Sequence, residues 1–298
     1  MSIRNSWPDR NSRSAELYER ARVVLPGGIS RLQTLVDPFP IYAGRGEGAT
    51  IVDVDGTRRL DMMNNFASLI HGHARAEVID AATRAAEYCL ATLRREDGRL
   101  LKRSRRGKAG LPAHLEDYAF LVQGLLDLHE STFKTRHLQA AVDLTDLTIK
   151  HFADAENGGL FLTADDGEKL LVRAKEIYDG AIPSGNSVMA LNFLRIARIT
   201  GNKKYETAAS KLFAAFSGFA AERPSACNVL MTALDFAVGP SLEIVVAGKR
   251  GEDATEKLIE SINSSFLPNK VLIFRSGAEE EPEVAKLAPF VRNQGLVK

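Results

Sequence analysis

Residues 121–141 (LVQGLLDLHESTFKTRHLQAA) and 189–209 (MALNFLRIARITGNKKYETAA) are one helical hairpin written twice, at an offset of 68. Leu121 aligns with Met189, Leu125 with Phe193, Leu126 with Leu194 and Leu128 with Ile196. Thr132 falls on Thr200, and Ala140-Ala141 on Ala208-Ala209. One helix pair cannot bury its apolar face alone, so a repeated pair predicts stacking into a solenoid or toroid. Where such a stack curves closed, its concave side becomes a pocket.

Working outward from the repeat, apolar residues at i, i+3, i+4 spacing predict helices at about 76–95, 113–132, 135–153, 186–200, 202–221 and 225–238. Positions 118, 122, 125, 126 and 129 form one such stripe, and 205, 208, 209, 212, 216 and 219 another. Short extended pieces at 98–101 and 158–162 are related by an offset near 60. Toward the C-terminus, Leu242–Val246 and Val271–Phe274 flank a helix at about 252–265, which reads as strand, helix, strand with a parallel, right-handed crossover. The tail after Gly277 is acidic, then weakly helical. At the other end, residues 1–11 are polar and aperiodic, and Ser14 is expected to cap a short helix ended by Pro26-Gly27-Gly28. Gly44, Gly46 and Gly48 read as turn punctuation before a β-hairpin, Thr50–Val54 and Arg59–Asp61 about Asp55-Gly56. The expected fold is mainly α: a partial α/α toroid over 81–240, a small helix and β-hairpin segment over 1–80, and a βαβ element with tail over 241–298.

A net charge of +1 on 298 residues gives no electrostatic reason to expect nucleic acid or an acidic membrane as partner. One local exception is Lys102, Arg103, Arg105, Arg106 and Lys108, read as a solvated hairpin between helices in preference to a phosphate patch. No apolar run approaches the roughly 20 residues that span a bilayer, and the first residues carry Arg4, Asp9 and Arg10 where a leader would be apolar. Cys89 and Cys227 stand far apart among apolar helical residues, as buried thiols do. A reducing cytoplasm suits this composition.

Ser14–Gly28 (SAELYERARVVLPGG), Gly46–Leu60 (GEGATIVDVDGTRRL) and Gly72-His73 with Glu77-Val78 resemble the N-terminus of class III pyridoxal-phosphate aminotransferases of the glutamate-1-semialdehyde aminomutase type. Glu96–Leu101 (EDGRLL), His114–Phe120 (HLEDYAF), Asn157–Thr163 (NGGLFLT), Tyr178–Ser187 (YDGAIPSGNS) and Leu267–Lys270 (LPNK) resemble the C-terminal half of a different family. These are the thioredoxin-fused α/α-toroid proteins, which include the spermatogenesis-associated thioredoxin-like proteins. That resemblance covers about 82–298 and implies a toroid similar to the N-acylglucosamine 2-epimerase type. The seam falls near 80–88. The first resemblance stops before the region that carries such enzymes' Schiff-base lysine, so no cofactor is expected. A closed ring of six hairpins needs about twelve helices, and the sequence supplies about half, so the ring is expected to be incomplete.

Two polar constellations are the candidate site. His114, Glu116 and Asp117 open a helix, with Tyr118 behind them. The resemblance places inner-helix N-termini at the mouth of the toroid cavity, where a histidine and two carboxylates suit acid/base work on a sugar. The plainer reading has the carboxylates complementing the helix dipole while Tyr118 packs. The second constellation offers Asp179 as acid, base or hydroxyl-binding group, with Tyr178, Ser184 and Asn186 as sugar contacts. Ser184 and Asn186 serve equally well as helix caps. Paired carboxylates suggest glycoside hydrolysis, while epimerisation wants opposed proton-transfer groups, and only His114 sits suitably. His129, His137 and His151 lie within or at the ends of helices. His71-Gly72-His73 is a loop entering a helix, and no metal is expected.

These readings give a carbohydrate-related pocket with weak or absent turnover, since an open ring admits water to the site. If active, the chain is expected to be a sugar isomerase, epimerase or glycosidase. The alternatives are an aminotransferase-like protein without its catalytic lysine region, and a non-catalytic interaction protein whose unpaired helix faces join a second copy. The expected partner is a small carbohydrate, not nucleic acid or membrane.

Overall fold

The computed structural model describes residues 7–25, 28, 36–47, 50–61, 76–265, 267–276 and 283–294. The chain divides into two compact units, residues 1–80 with 256–268, and 81–255 with 269–298.

In the first unit, helix α1 (Arg13–Val24) is capped by Ser12, whose Oγ accepts from Ala15 N at 3.3 Å. Ser14, the expected cap, sits two residues later, inside the first turn, and its amide and hydroxyl both donate to Asp55. A carboxylate delivered by the β-turn thus takes the first-turn amides, where negative charge is favoured by the helix dipole. The expected hairpin is a three-stranded antiparallel meander, β1 (Ala43–Glu47), β2 (Thr50–Asp53) and β3 (Arg58–Leu60). Gly44 and Gly46, read as turn residues, lie in β1, an edge strand whose register slips between Ala43 and Arg45. Glycine is tolerated at such an edge irregularity. The tight turn closes on Asp53, which accepts from Thr57 N at 2.7 Å and Arg59 Nε at 2.7 Å. Gly27, Gly48, His71, Gly72, His73 and residues 277–282 of the tail lie outside the described residues.

Helix α2 (Ala76–Tyr88) runs into a wider π turn, Cys89–Leu93. The second unit continues with a hairpin, β4 (Leu101–Arg105) and β5 (Lys108–Pro112), turning on Arg106 and Gly107 at φ 54° and 75°. Positive φ at both central residues is the turn type whose twist matches paired strands. Then come the two copies read from the sequence: α3 (Leu115–Thr132) with α4 (Thr135–Phe152), and α5 (Gly185–Thr200) with α6 (Lys203–Glu222). Helix α7 (Asn228–Val238) leads to β6 (Leu242–Gly248), α8 (Asp253–Ser264) and β7 (Lys270–Ser276). Strands β6 and β7 pair in parallel from Leu242↔Lys270 to Gly248↔Ser276, as read. The weakly helical tail forms two 3₁₀ turns, Glu283–Lys286 and Pro289–Asn293.

The duplication is visible bond by bond. Each hairpin turns on a left-handed residue, Phe133 in the first copy and Gly201 in the second. Thr132 Oγ1 donates to Leu128 O at 2.6 Å, and Thr200 Oγ1 to Ile196 O at 2.7 Å. The extended pieces match too: Arg94 bridges Leu100, and Ala153 bridges Leu160. The architecture is therefore mostly helical. Helix α5 is its centre, with 13 of 16 residues buried, against α3, α6, α7 and β7. A helix apolar on all sides belongs in a core.

Candidate functional site

The N-termini of α3, α5 and α7 open on the same side of the second unit. Leu115 N donates to Leu162 O at 3.0 Å, which ties the start of α3 to the segment leading toward α5. A Cβ on Gly185 would lie 2.8 Å from Leu115 Cγ and 3.3 Å from Glu116 N, so glycine is what lets the first turn of α5 abut that of α3. Asp179 makes the next link. Its Oδ1 accepts from Ser184 N at 2.9 Å, and its Oδ2 from Val229 N at 2.8 Å and Leu230 N at 3.3 Å. Helix α7 has no side-chain cap of its own, so this buried carboxylate satisfies its orphan amides.

Tyr118 and Asn186, 68 residues apart, perform the same task. The Tyr118 hydroxyl accepts from Leu100 N at 2.8 Å, and Asn186 Oδ1 accepts from Leu160 N at 2.8 Å. Each holds the amide of the bridging residue that precedes its helix, and neither is exposed. Asn186 Nδ2 also donates to Leu160 O at 2.9 Å and Glu176 O at 2.8 Å. Ser184 caps α5, its Oγ accepting from Ser187 N at 3.1 Å. Of the second constellation only Tyr178 is open, at 66% exposure.

The first constellation is arranged otherwise. Asp117 accepts from His114 N at 2.8 Å, closing a box at the start of α3. His114 Nδ1 lies 3.2 Å from Lys102 Nζ. Glu116 and Asp117 line a hollow of about 410 Å³ together with Lys102, Phe120, Ile182 and Cys89. Of the candidate residues only Glu116 and Asp117 line this hollow; Ile182, from the segment that joins Tyr178-Asp179 to Ser184, reaches it, whereas His114, Tyr118, Tyr178, Asp179, Ser184 and Asn186 do not. Cys89, expected buried, is partly exposed there, at the start of the π turn, whereas Cys227 is fully buried, which pushes its thiol pKa up.

Among the described residues the remaining histidines pack or pair. His129 is enclosed at the end of α3, its Nδ1 3.2 Å from Lys134 O, and burial lowers its pKa to about 4. His137 Nδ1 lies 3.3 Å from Thr132 Oγ1, and burial lowers it also. His151, Asp165 and Asp166 form a cluster whose ligand-type atoms lie within 4.8 Å of one another. Arg99 Nη1 already bonds Asp166 at 2.7 Å and holds that carboxyl below its ordinary range, so a cation there competes with a guanidinium. Sequence reading missed Arg99 and also Arg195, which is clasped by Asp127 at 2.8 Å and Glu130 at 2.9 Å. Spacing carries no signal for either, because their partners stand 65 to 68 residues away. No helix among the described residues is long and apolar enough to cross a membrane.

Comparison with known proteins gives two separate likenesses. Spermatogenesis-associated protein 20 of Homo sapiens is 36% identical over 203 residues, covering 65% of this chain and 26% of that protein. Glutamate-1-semialdehyde 2,1-aminomutase of Haloquadratum walsbyi is 42% identical over 74 residues, covering 25% of this chain and 16% of that enzyme. The chain is thus homologous to the first and, at its N-terminus, partly similar to the second. It spans about a quarter of the length of the first relative. An omega-transaminase structure from Sphaerobacter thermophilus aligns at 25% identity over 56% of this chain and 41% of its own, with a TM-score of 0.28. No family model matches. Residues 1–101 contain no lysine, so the aminomutase-like segment offers no amine to hold pyridoxal phosphate, and its residues do not fit that cofactor.

Proposed function

We propose that residues 81–240 are an arc of a thioredoxin-fused α/α toroid, with α3, α5 and α7 as inner helices and α4 and α6 outside. The arc carries a carbohydrate-binding mouth and turns over weakly or not at all. One observation carries this reading: Glu116 and Asp117, in the first turn of α3, face a hollow, and the starts of α5 and α7 are tied to that helix start through Gly185 and Asp179. Asp117 and His114 are the proton-handling candidates, Glu116 the hydroxyl-binding one, and the open ring of Tyr178 a stacking face. Asp179, Ser184 and Asn186 position the mouth, and Tyr118 supports it from behind. Water reaches a hollow of this kind, which weakens fixed dipoles and argues for binding over catalysis. Both thiols are free, in keeping with a reducing cytoplasm.

Cys89 supplies the test, since it lines the hollow while Cys227 is sealed. N-acetylhexosamines are expected to slow alkylation of Cys89 at millimolar concentration, and Glu116→Gln to remove that protection. Alkylation unaffected by any neutral or acetamido sugar overturns the reading. Epimerase or glycosidase turnover that Asp117→Asn abolishes overturns the weak-catalysis part. The aminomutase likeness favours a second reading, a pyridoxal-phosphate protein. It requires a lysine-dependent visible absorbance on adding cofactor, and none is expected. Self-association through unpaired helix faces, such as the one that exposes Leu234 and Val238 on α7, is a third, non-catalytic reading, tested by light scattering.

A further inference from the structure

The hairpin β4–β5 carries Arg103, Arg105, Arg106 and Lys108, all exposed, and Lys102 at its base. Several cations elsewhere in this unit are matched, Arg94 with Asp143, Arg99 with Asp166, Lys175 with Asp154, and Arg195 with Asp127 and Glu130. Arg103, Arg105, Arg106 and Lys108 have no anionic partner among the described residues. Arg105 stands directly opposite Lys108 in the ladder, a like-charge pair that destabilises a hairpin. Arg106 occupies a left-handed backbone position at φ 54°, which is strained for a residue with a Cβ. Register puts Arg103, Arg105 and Lys108 on one face, the two arginines roughly 7 Å apart along β4 and Lys108 across the ladder from Arg105. Lys102 and Leu101, at the base of the hairpin, line the hollow beside Glu116. The arm therefore continues the mouth outward as a cationic ledge.

We propose that this ledge selects an acidic saccharide chain, one bearing uronate or sulfate groups, whose terminal sugar enters the hollow. This rests on the carbohydrate reading above and narrows its substrate class. Nucleic acid fits less well: neither strand carries an aromatic platform for bases, and the net charge of +1 provides no wider basic field. Carboxylates or sulfates along a short glycan would neutralise the Arg105–Lys108 pair, while the sugar ring itself meets Glu116, Phe120 and Ile182.

The full chain is titrated with a fluorescent oligogalacturonate, with a neutral malto-oligosaccharide of equal length and with a single-stranded oligonucleotide, while Cys89 alkylation is followed. The acidic oligomer is expected to bind, to weaken as salt rises and to protect Cys89. The combined variant Arg103→Ser, Arg105→Ser, Lys108→Ser is expected to weaken it about tenfold, roughly a factor of two for each exposed ion contact. The single changes Arg103→Ser and Lys108→Ser should each give about that factor of two, and all variants should melt no lower than the parent. Equal binding of the acidic and neutral oligomers, or no change in the combined variant, overturns the ledge and leaves the carbohydrate reading standing. Arm-dependent binding that leaves Cys89 unprotected overturns the proposal and counts against that reading as well. Tighter binding of the oligonucleotide overturns it in favour of a nucleic-acid surface.

Discussion

The two copies of the hairpin share their pattern and differ in what surrounds them. Helix α5 lies between α3 and α7 and is buried on nearly every side. Helix α3 packs on α5 along one side and leaves Glu116, Asp117, Phe120 and Leu121 to the hollow. The clamp at the start of each copy differs in the same sense. In the buried copy it is Asn186, a small amide making three hydrogen bonds. In the copy beside the hollow it is Tyr118, whose hydroxyl does the bonding while its ring packs on Phe152 at 5.2 Å. One repeat has been tuned for the core and the other for the edge of a cavity, and the candidate chemistry lies on the edge copy.

The largest effects should come from the clamps. Asn186→Ala leaves both polar groups of Leu160 buried without their partner and should cost roughly 3 kcal/mol. Tyr118→Phe keeps the ring, strands chiefly the Leu100 amide and should cost about 1.5 kcal/mol. Urea unfolding of the two variants measures the ratio. Equal losses would mean that the copies are not differentiated as described.

A comparable effect is expected from pH, and in the first copy alone. His129 and His137 sit in α3 and α4, where the second copy has Ala197 and Tyr205. Burial lowers both imidazoles in the folded state, and Lys134, Arg136 and Arg195 add like charge nearby. A folded pKa below the unfolded one means that the unfolded chain binds more protons, so stability rises with pH. The contribution is complete above about 6.5 and is lost as pH falls toward about 4. For His129 it reaches roughly 3 kcal/mol. Melting temperature should therefore fall between pH 7 and 4.5, and His129→Ala should flatten that slope at the expense of overall stability. An unchanged slope in the variant would assign the pH response to other groups.

Helices were legible because apolar periodicity is local, and α3 to α6 begin and end within a few residues of their expected bounds. The parallel βαβ element was legible for the same reason, as was the basic hairpin. Strand β1 was not, since glycines at an edge strand look like turn residues until the partner strand is known. The roles of Tyr118 and Asn186 were hidden because their bonds reach back 18 and 26 residues to a loop. A polar side chain at a helix start reads alike whether it faces a ligand or a neighbouring amide. The offset of 68 was itself the missing signal, since it puts both residues at equivalent places in the repeat.

The smallest contrast is at the hairpin turns, where the copies place Phe133 and Gly201 in the same left-handed conformation. A non-glycine residue there carries a penalty of about 1 kcal/mol or more. Phe133 offsets it by stacking on Phe274 at 5.3 Å and lying under the Arg250 guanidinium at 5.2 Å. Phe133→Gly relieves the strain and loses the aromatic contact, two terms of similar size, so its stability should stay within roughly 0.5 kcal/mol of the parent. At Gly201 an added Cβ gains only van der Waals contact with the Phe290 ring edge at 3.8 Å, so Gly201→Ala should cost about 1 kcal/mol. If Phe133→Gly proves as costly as Gly201→Ala, the stack on β7 contributes more than the strain it offsets. The first hairpin would then be anchored to the βαβ element by its turn as well as by its helices.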